Sequence, residues 1–213
     1  MNNNDKILQE LEQMYPDARC ALNHRTPFEL LVATILSAQC TDVRVNIVTS
    51  TLFQDYNTPR DFAELKYEEL EPMIKSCGVY KNKSRSIINT SRILLEEYSS
   101  KVPETMEELI KLPGVGRKTA NVVLSNAFHK NAIAVDTHVF RVSNRLGLAD
   151  AKNVLDTENQ LMENIPEEKW SIMHHNLIFH GRQVCAARNP KCEICKLSEY
   201  CKYFKENREV SKQ

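Results

Sequence analysis

Almost every apolar segment of this 213-residue chain repeats at helical spacing and is bounded by a residue that starts or stops a helix. The first segment carries its apolar residues three or four positions apart and stops at Pro16. Thr26 and Thr105 each precede a glutamate by three positions, which is the pattern of a helix-starting capping box. The chain has only 5 glycines, well below the usual share of about 7 %, and no segment alternates convincingly at period two. The sequence therefore predicts an all-α fold.

The helices are expected to follow these signals along the chain. Gly147 and Gly181 should each end a helix, because glycine readily adopts the left-handed conformation that follows a last turn. The polar residues from about Lys202 onward are expected to fray, and the clearest break between domains follows Lys130. The predicted helices cover residues 5–15, 27–39, 42–53, a short run from 59, 67–76, 81–98, 106–111, 117–128, 136–146, 153–165 and 168–180.

Charge is segregated along the chain, although its 28 basic and 28 acidic residues cancel. Residues 111–145 hold six basic side chains and one acidic side chain, whereas residues 61–71 and 150–168 are strongly acidic. Such segregation can build a basic face for nucleic acid on a neutral protein, although acidic helices can also simply keep themselves solvated. No apolar stretch is long enough to span a membrane, and the N-terminal residues lack the pattern of a signal peptide. We therefore expect a cytoplasmic protein.

Four of the seven cysteines crowd together near the end of the sequence with the spacing C-x6-C-x2-C-x5-C. Disulfides are disfavoured in the cytoplasm. Four thiolates can hold zinc, although zinc sites usually use two short knuckles far apart. They can also surround an iron–sulfur cluster, which suits one compact run with longer arms. The spacing alone leaves both metal centres open. The four residues are Cys185, Cys192, Cys195 and Cys201.

Arg188 and Lys191 lie in the loop between the first two of these cysteines. A loop held at both ends by metal ligands presents its basic side chains rigidly, and a phosphate backbone is their natural counterpart. The alternative is a solvated loop that binds nothing.

Residues 112–120 place two glycines within three positions between two helical segments. Gly114 and Gly116 allow a tight hairpin, and the backbone N–H groups that start the second helix would bind an anion. A nucleotide-binding P-loop does not fit, because Arg117 separates Gly116 from Lys118 and no strand precedes them. The helix dipole and Arg117 both disfavour a charged ammonium at Lys118, which favours a nucleophilic amine. The alternative is an ordinary surface lysine.

Asp136 follows an apolar stretch and opens the next predicted helix. A carboxylate at this position caps the first turn of a helix. The same carboxylate can pair with a basic neighbour or stabilise a cation, and the two roles are compatible.

Taken together, these stretches resemble the endonuclease III family of DNA glycosylases. The resemblance covers about residues 27–201 and rests on LLVATILSAQCTD, LPGVGRKTANVVL, AVDTHVFRV and the cysteine spacing. It implies two helical domains with the DNA groove between them. One is a six-helix domain over residues 20–130, with the helix–hairpin–helix motif at about 108–128. The other joins residues 1–19 to 131–213 and holds a [4Fe–4S] cluster on the four clustered cysteines.

The resemblance also implies a reaction and the residues that perform it. Members of the family rotate a damaged base, typically an oxidised pyrimidine, out of duplex DNA and excise it. Lys118 matches the catalytic lysine that attacks C1′ of the sugar, and Asp136 matches the catalytic aspartate. The strand is then cleaved 3′ to the abasic site by β-elimination. The expected partner is damaged double-stranded DNA, bound by a monomer in the cytoplasm at the nucleoid.

Further residues match positions where the family contacts DNA. Gln39 matches the residue that fills the gap left by the flipped nucleotide, and His138 matches a histidine near the lesion. Val79 stands where the family commonly has a leucine wedge, and the shorter valine puts the strength of the wedge in doubt. The other expected DNA contacts are Gly114, Val115, Gly116, Thr119, Arg188 and Lys191.

Three other functions remain open from the sequence, one of them a zinc-bound scaffold. Adenine mismatch glycosylases share the scaffold, but they lack the lysine that this chain has at Lys118. An iron–sulfur protein could instead bind DNA or sense redox state without excising a base. The histidines near residues 174–180 suggest a metal site, but neighbouring histidines on a helix point to different faces, which favours structural roles.

Overall fold

The computed structural model describes residues 2–210, which form twelve α-helices and three short 3₁₀ helices. No strand occurs within these residues, so the all-α prediction is confirmed. None of the helices in the described part of the chain combines the length and apolar character needed to cross a membrane. The α-helices are α1 (Asn3–Met14), α2 (Pro27–Ser37), α3 (Asp42–Asp55), α4 (Pro59–Glu64), α5 (Tyr67–Ile74), α6 (Tyr80–Glu97), α7 (Met106–Leu109), α8 (Arg117–Ala127), α9 (Thr137–Leu146), α10 (Val154–Asn164), α11 (Trp170–Gln183) and α12 (Lys202–Val210). The 3₁₀ helices are Lys75–Cys77, Glu167–Lys169 and Cys192–Ile194.

The start signals in the sequence act as N-caps. The hydroxyl of Thr26 accepts a hydrogen bond from the Glu29 N–H at 3.1 Å, and Thr41 caps α3 in the same way. In a full capping box, the glutamate side chain also accepts a hydrogen bond from the backbone N–H of the N-cap residue, here Thr26. The Glu29 carboxylate instead accepts from the Arg25 N–H at 2.6 Å and from its guanidinium at 2.7 Å. Because Glu29 is buried, these bonds give its charge the partners that burial demands.

The helices pack into two compact units, and the first is the continuous segment Cys20–Lys130. Its central helix is α2, in which every side chain from Phe28 to Leu36 is buried. This helix packs against α3, α6 and α8. A helix that is buried all round needs such cover on every side, and its burial fixes the positions of the helices around it.

The second unit is assembled from both ends of the chain, Met1–Arg19 and Asn131–Gln213. The buried face of α1 joins one hydrophobic core with residues of α9 and α11. α11 packs against both α1 and α9. The helix that begins the chain is therefore a structural part of the unit that carries the clustered cysteines.

Gly181 does not end a helix as the sequence suggested, because it lies inside α11. A Cβ atom at this position would come within 3.1 Å of the Arg141 Nη2 atom and of two His138 side-chain atoms. Glycine is therefore needed for the close approach of α9 and α11. Gly147 does end α9, with φ of +88°.

The expectation of a frayed C-terminus is wrong for residues 202–210, which form α12. This helix packs against α9. The Arg145 guanidinium lies 4.6 Å from the centroid of the Tyr203 ring, a cation–π contact. Tyr203 and Phe204 also pack on the hydrophobic core of the unit. The partner face is distant in sequence, so the polar composition of the segment hid it.

Candidate active site and cysteine cluster

The hairpin between α7 and α8 is anchored by its apolar residues. Leu112 and Val115 are buried, and the Val115 N–H donates to the Leu112 carbonyl at 3.1 Å. Thr90 on α6 donates its hydroxyl to the Pro113 carbonyl at 2.9 Å. Because the Val115 side chain is buried, a contact of this residue with DNA would have to use its backbone, and the contact itself stays a prediction. Gly114 and Gly116 are both exposed along the same hairpin.

The two hairpin glycines differ in what they need. Gly114 has φ of +79°, and a Cβ there would lie 2.7 Å from the Ser86 Cβ atom. Gly116 has φ of −91°, and a Cβ there would meet no atom within 4 Å. Gly114 therefore serves both a left-handed turn and a close approach to α6, whereas Gly116 serves neither.

We expect Gly114→Ala to lower the free energy of unfolding by about 2–4 kcal/mol, from overpacking and an unfavourable φ. Gly116→Ala is the matched control and should change it by less than about 0.5 kcal/mol, since the lost N-cap glycine is offset by lower unfolded-state entropy. Urea unfolding of the two variants checks the pair. Equal losses of stability in the two variants would mean that the close contact with Ser86 does not account for the cost of Gly114→Ala.

Lys118 lies in the first turn of α8, directly after the hairpin. Gly116 is the N-cap of this helix, and no side chain caps it. The first N–H groups of a helix have no partner within the helix and attract an anion together with the helix dipole. Lys118 is exposed and makes no hydrogen bond or ion pair with the described part of the chain. Thr119, beside it, is half-buried.

Gln39 and Val79 both have left-handed backbones and exposed side chains. Gln39 lies two residues beyond the end of α2 with φ of +54°. Val79 is the N-cap residue of α6 with φ of +47°. A positive φ is unusual for any residue with a Cβ and a true outlier for a β-branched one. No local sequence pattern indicated either conformation.

Asp136 belongs to the second unit and is the N-cap of α9. Its Oδ1 atom accepts hydrogen bonds from the His138 and Val139 N–H groups, both at 2.8 Å. Among the described residues, no group donates to its Oδ2 atom. One oxygen therefore holds the helix while the other is available. The Nδ1 atom of His138 accepts from the Arg141 guanidinium at 3.1 Å, which orients the ring.

The four clustered cysteines line one cavity in the second unit. Burial, together with the neighbouring Cys201, Cys185 and Cys192, raises the pKa of Cys195 to about 11. Thiolates held this close need cations to offset their repulsion, and iron supplies them in a cluster. Four cysteines that line one cavity are the ligand set that a [4Fe–4S] cluster uses.

Two arginines of α9 hold the loop that follows the first cysteine. Arg141 donates to the Cys185 carbonyl at 3.1 Å, and Arg145 donates to the Ala186 and Ala187 carbonyls at 2.7 and 3.0 Å. These two residues contribute to the basic segment found in the sequence, but their guanidinium groups are used within the protein. Arg188 and Lys191 lie further along the same loop, and Arg188 is exposed.

The histidines of α11 have structural partners. His174 Nδ1 lies 2.6 Å from the Ala134 carbonyl. Tyr15 Oη lies 3.0 Å from His180 Nδ1, and His180 Nε2 lies 3.7 Å from Cys195 Sγ. Burial lowers the pKa of His180 to about 4, so its ring is neutral near pH 7. The ring therefore connects α1 to a cysteine of the cavity.

The chain matches known proteins over nearly its whole length. The family model of HhH-GPD superfamily base excision DNA repair proteins matches residues 32–167, and that of the iron–sulfur binding domain of endonuclease III matches residues 185–201. Endonuclease III of Bacillus subtilis is 53 % identical over 92 % of this chain and 90 % of its own length. Endonuclease III of Escherichia coli K12 is 48 % identical over 93 % of this chain and 94 % of its own. A structure described as a trapped endonuclease III–DNA covalent intermediate superposes with a TM-score of 0.91, at 51 % identity over 98 % of this chain and all of that one.

Proposed function

The chain belongs to the endonuclease III family of base excision repair DNA glycosylases, which carry a [4Fe–4S] cluster, and from that premise we propose which lesion it removes and how. It excises oxidised pyrimidines from duplex DNA and then cleaves the strand 3′ to the abasic site by β-elimination. It acts as a monomer in the cytoplasm. The observation that carries this proposal is the exposed Lys118 at the uncapped start of α8.

The first step is recognition of the duplex. The uncapped N–H groups after Gly116 bind a backbone phosphate, and Arg188 and Lys191 bind further phosphates from the second unit. The damaged nucleotide is rotated out of the stack. Gln39 fills the gap that it leaves, while Val79 wedges the opposite strand. His138 lies near the lesion.

The chemistry then depends on an amine and a carboxylate. The neutral Lys118 amine attacks C1′, the bond from C1′ to the base breaks, and the base leaves with a proton. Asp136 stabilises the positive charge that develops on the sugar through its available oxygen. The lysine nitrogen gives up its two protons, one to the departing base and one to the ring oxygen as the sugar ring opens, which leaves a Schiff base between Lys118 and C1′. Once protonated by solvent to the iminium, this Schiff base acidifies the C2′ proton, whose removal expels the 3′ phosphate, and water finally releases the lysine.

The cluster has a supporting role in this scheme. Cys185, Cys192, Cys195 and Cys201 would hold the cluster, and its binding would fix both ends of the loop that presents Arg188 and Lys191. The chemical steps themselves use only protein side chains and DNA. The related endonuclease III that is described as a trapped covalent intermediate with DNA supports a covalent mechanism for this chain as well.

The proposal is tested with the intact holoenzyme on two duplexes. One contains a single thymine glycol, and the other contains a single abasic site with borohydride present. We expect strand cleavage on the first and a covalent protein–DNA adduct on the second. A protein that binds both duplexes but neither cleaves nor traps would be a DNA-binding iron–sulfur protein, and the proposal would be wrong. Release of the free base without strand cleavage would contradict only the lyase step of the proposal.

Asp136→Asn separates the two roles of this residue. The amide oxygen of asparagine can still accept the His138 and Val139 N–H bonds, so the thermal midpoint should change by only a few degrees. Without the negative charge, we expect base excision to slow by about 10²–10⁴-fold. Single-turnover excision and thermal unfolding measure the two effects. An unchanged excision rate would limit Asp136 to capping α9.

A further inference from the structure

A buried lysine lies beneath two of the segments that are proposed to enter the DNA. Lys83 on α6 is 5 % exposed. Its Nζ atom donates to the Leu36 carbonyl at 2.8 Å and to the Cys77 carbonyl at 2.9 Å. One side chain therefore joins two segments that are about 40 residues apart in the sequence.

Both carbonyls belong to the ends of helices. Leu36 lies in the last turn of α2, and Cys77 is the last residue of a 3₁₀ helix. Carbonyl groups in the last turn lack a partner within the helix and form the negative end of its dipole. Burial lowers the pKa of Lys83, but the nearby Cys40 and Cys77 thiols act in the opposite direction. A lysine amine has at least two N–H donors in either protonation state, so both bonds persist.

The residues that follow these two helix ends have strained backbones. Gln39 comes three positions after Leu36 with φ of +54°, and Val79 comes two positions after Cys77 with φ of +47°. Left-handed conformations of this kind persist only where the surrounding structure imposes them, and they often occur at functional sites. The hydrogen bonds of Lys83 hold the backbone three residues before Gln39 and two residues before Val79.

We propose that Lys83 is a positioning residue that holds Gln39 and Val79 in fixed relation, so that both insert into the duplex together. The inference rests on the proposed function, because it assigns DNA contact to these two residues. Lys83 itself is buried and acts only through them. Its removal costs binding because the two side chains must then be ordered when DNA binds.

The test is a mutant cycle in the intact holoenzyme. Lys83→Met keeps the length and the apolar stem of the side chain but removes its donors. It is made alone and in a Gln39→Ala, Val79→Ala background, and the dissociation constant is measured for a duplex with a tetrahydrofuran abasic analogue. We expect a 10- to 100-fold loss of affinity for Lys83→Met alone and less than a 2-fold loss in the double-alanine background. Lys101→Met, an exposed lysine of the same unit, is the matched control and should change neither value.

Equal losses in the two backgrounds would show general damage to the fold and would overturn the proposal, as would no loss in either. If Lys83→Met fails to fold, Lys83→Arg retains donors on a longer side chain. The proposal then requires that Lys83→Arg alone shows an intermediate loss of affinity for the analogue duplex, and that this loss disappears in the double-alanine background. A wild-type protein that binds the analogue but cleaves no substrate would overturn the proposed chemistry and leave the Lys83 comparison valid.

Discussion

Lys118→Ala is expected to abolish the borohydride-trapped adduct on an abasic duplex and to slow base excision by about 10³-fold or more. The trapped adduct requires an amine that has reacted with C1′, and alanine has none. The side chain is exposed and makes no bond to the described part of the chain, so its loss should leave the fold intact. Thermal unfolding and affinity for the tetrahydrofuran duplex should therefore stay close to wild type.

The matched control for this variant is Lys101→Ala. It removes another exposed amine from the same unit, so trapping and excision should be unchanged. An adduct that persists in Lys118→Ala would mean that another amine, such as the N-terminus, performs the attack. A variant that loses affinity for the analogue duplex as well would assign Lys118 to binding rather than to chemistry.

Cys192→Ser is expected to remove the iron–sulfur cluster from the purified protein and to unfold part of the second unit. Serine is a poor ligand for the iron of such a cluster. Metal binding at a structural site contributes directly to folding, in structural zinc sites by about 10–16 kcal/mol. Loss of even part of such a contribution should lower the urea midpoint of the variant markedly. Iron and sulfide content, visible absorbance and urea unfolding measure these losses.

Cys20→Ser is the control for the cysteine variant. Cys20 lies in the first unit, where its thiol makes a long contact of 3.9 Å with the Leu22 carbonyl. Iron content, colour and stability should match wild type. A Cys192→Ser protein that keeps a full complement of iron would show that three cysteines suffice to retain the cluster. Affinity for DNA should also fall in Cys192→Ser, because Arg188 and Lys191 lose the anchor at one end of their loop.

Local signals predicted much of this protein because they act over a few residues. The threonine before α2 and the glycine after α9 mark helix ends through bonds made within one turn. The hairpin glycines and Lys118 could be picked out as a hairpin and a candidate nucleophile, because they lie in one short motif. The structure adds that only Gly114 of the hairpin pair needs its glycine for conformation and packing.

The features that sequence patterns missed depend on partners far away in the chain. Lys83 resembles an ordinary helix lysine, because its acceptors are backbone carbonyls, one of them in α2. Gly181 resembles a helix stop until α9 is placed against it. Arg141 and Arg145 look like surface charges in the sequence, because the carbonyl groups that they bind lie 44 and 41 residues further along the chain. Local spacing and composition indicate none of these partners.

The assembly of the second unit from both chain ends has a consequence for synthesis on the ribosome. α1 is made well before the core residues of α11 that cover it. At about 5–20 residues per second, translation from Met14 to Trp170 takes roughly 8–30 s. During this interval the continuous unit over residues 20–130 can fold, while the apolar face of α1 is not yet covered by α11. The four cysteines emerge later still, so iron can be loaded only after residues 1–201 have been made.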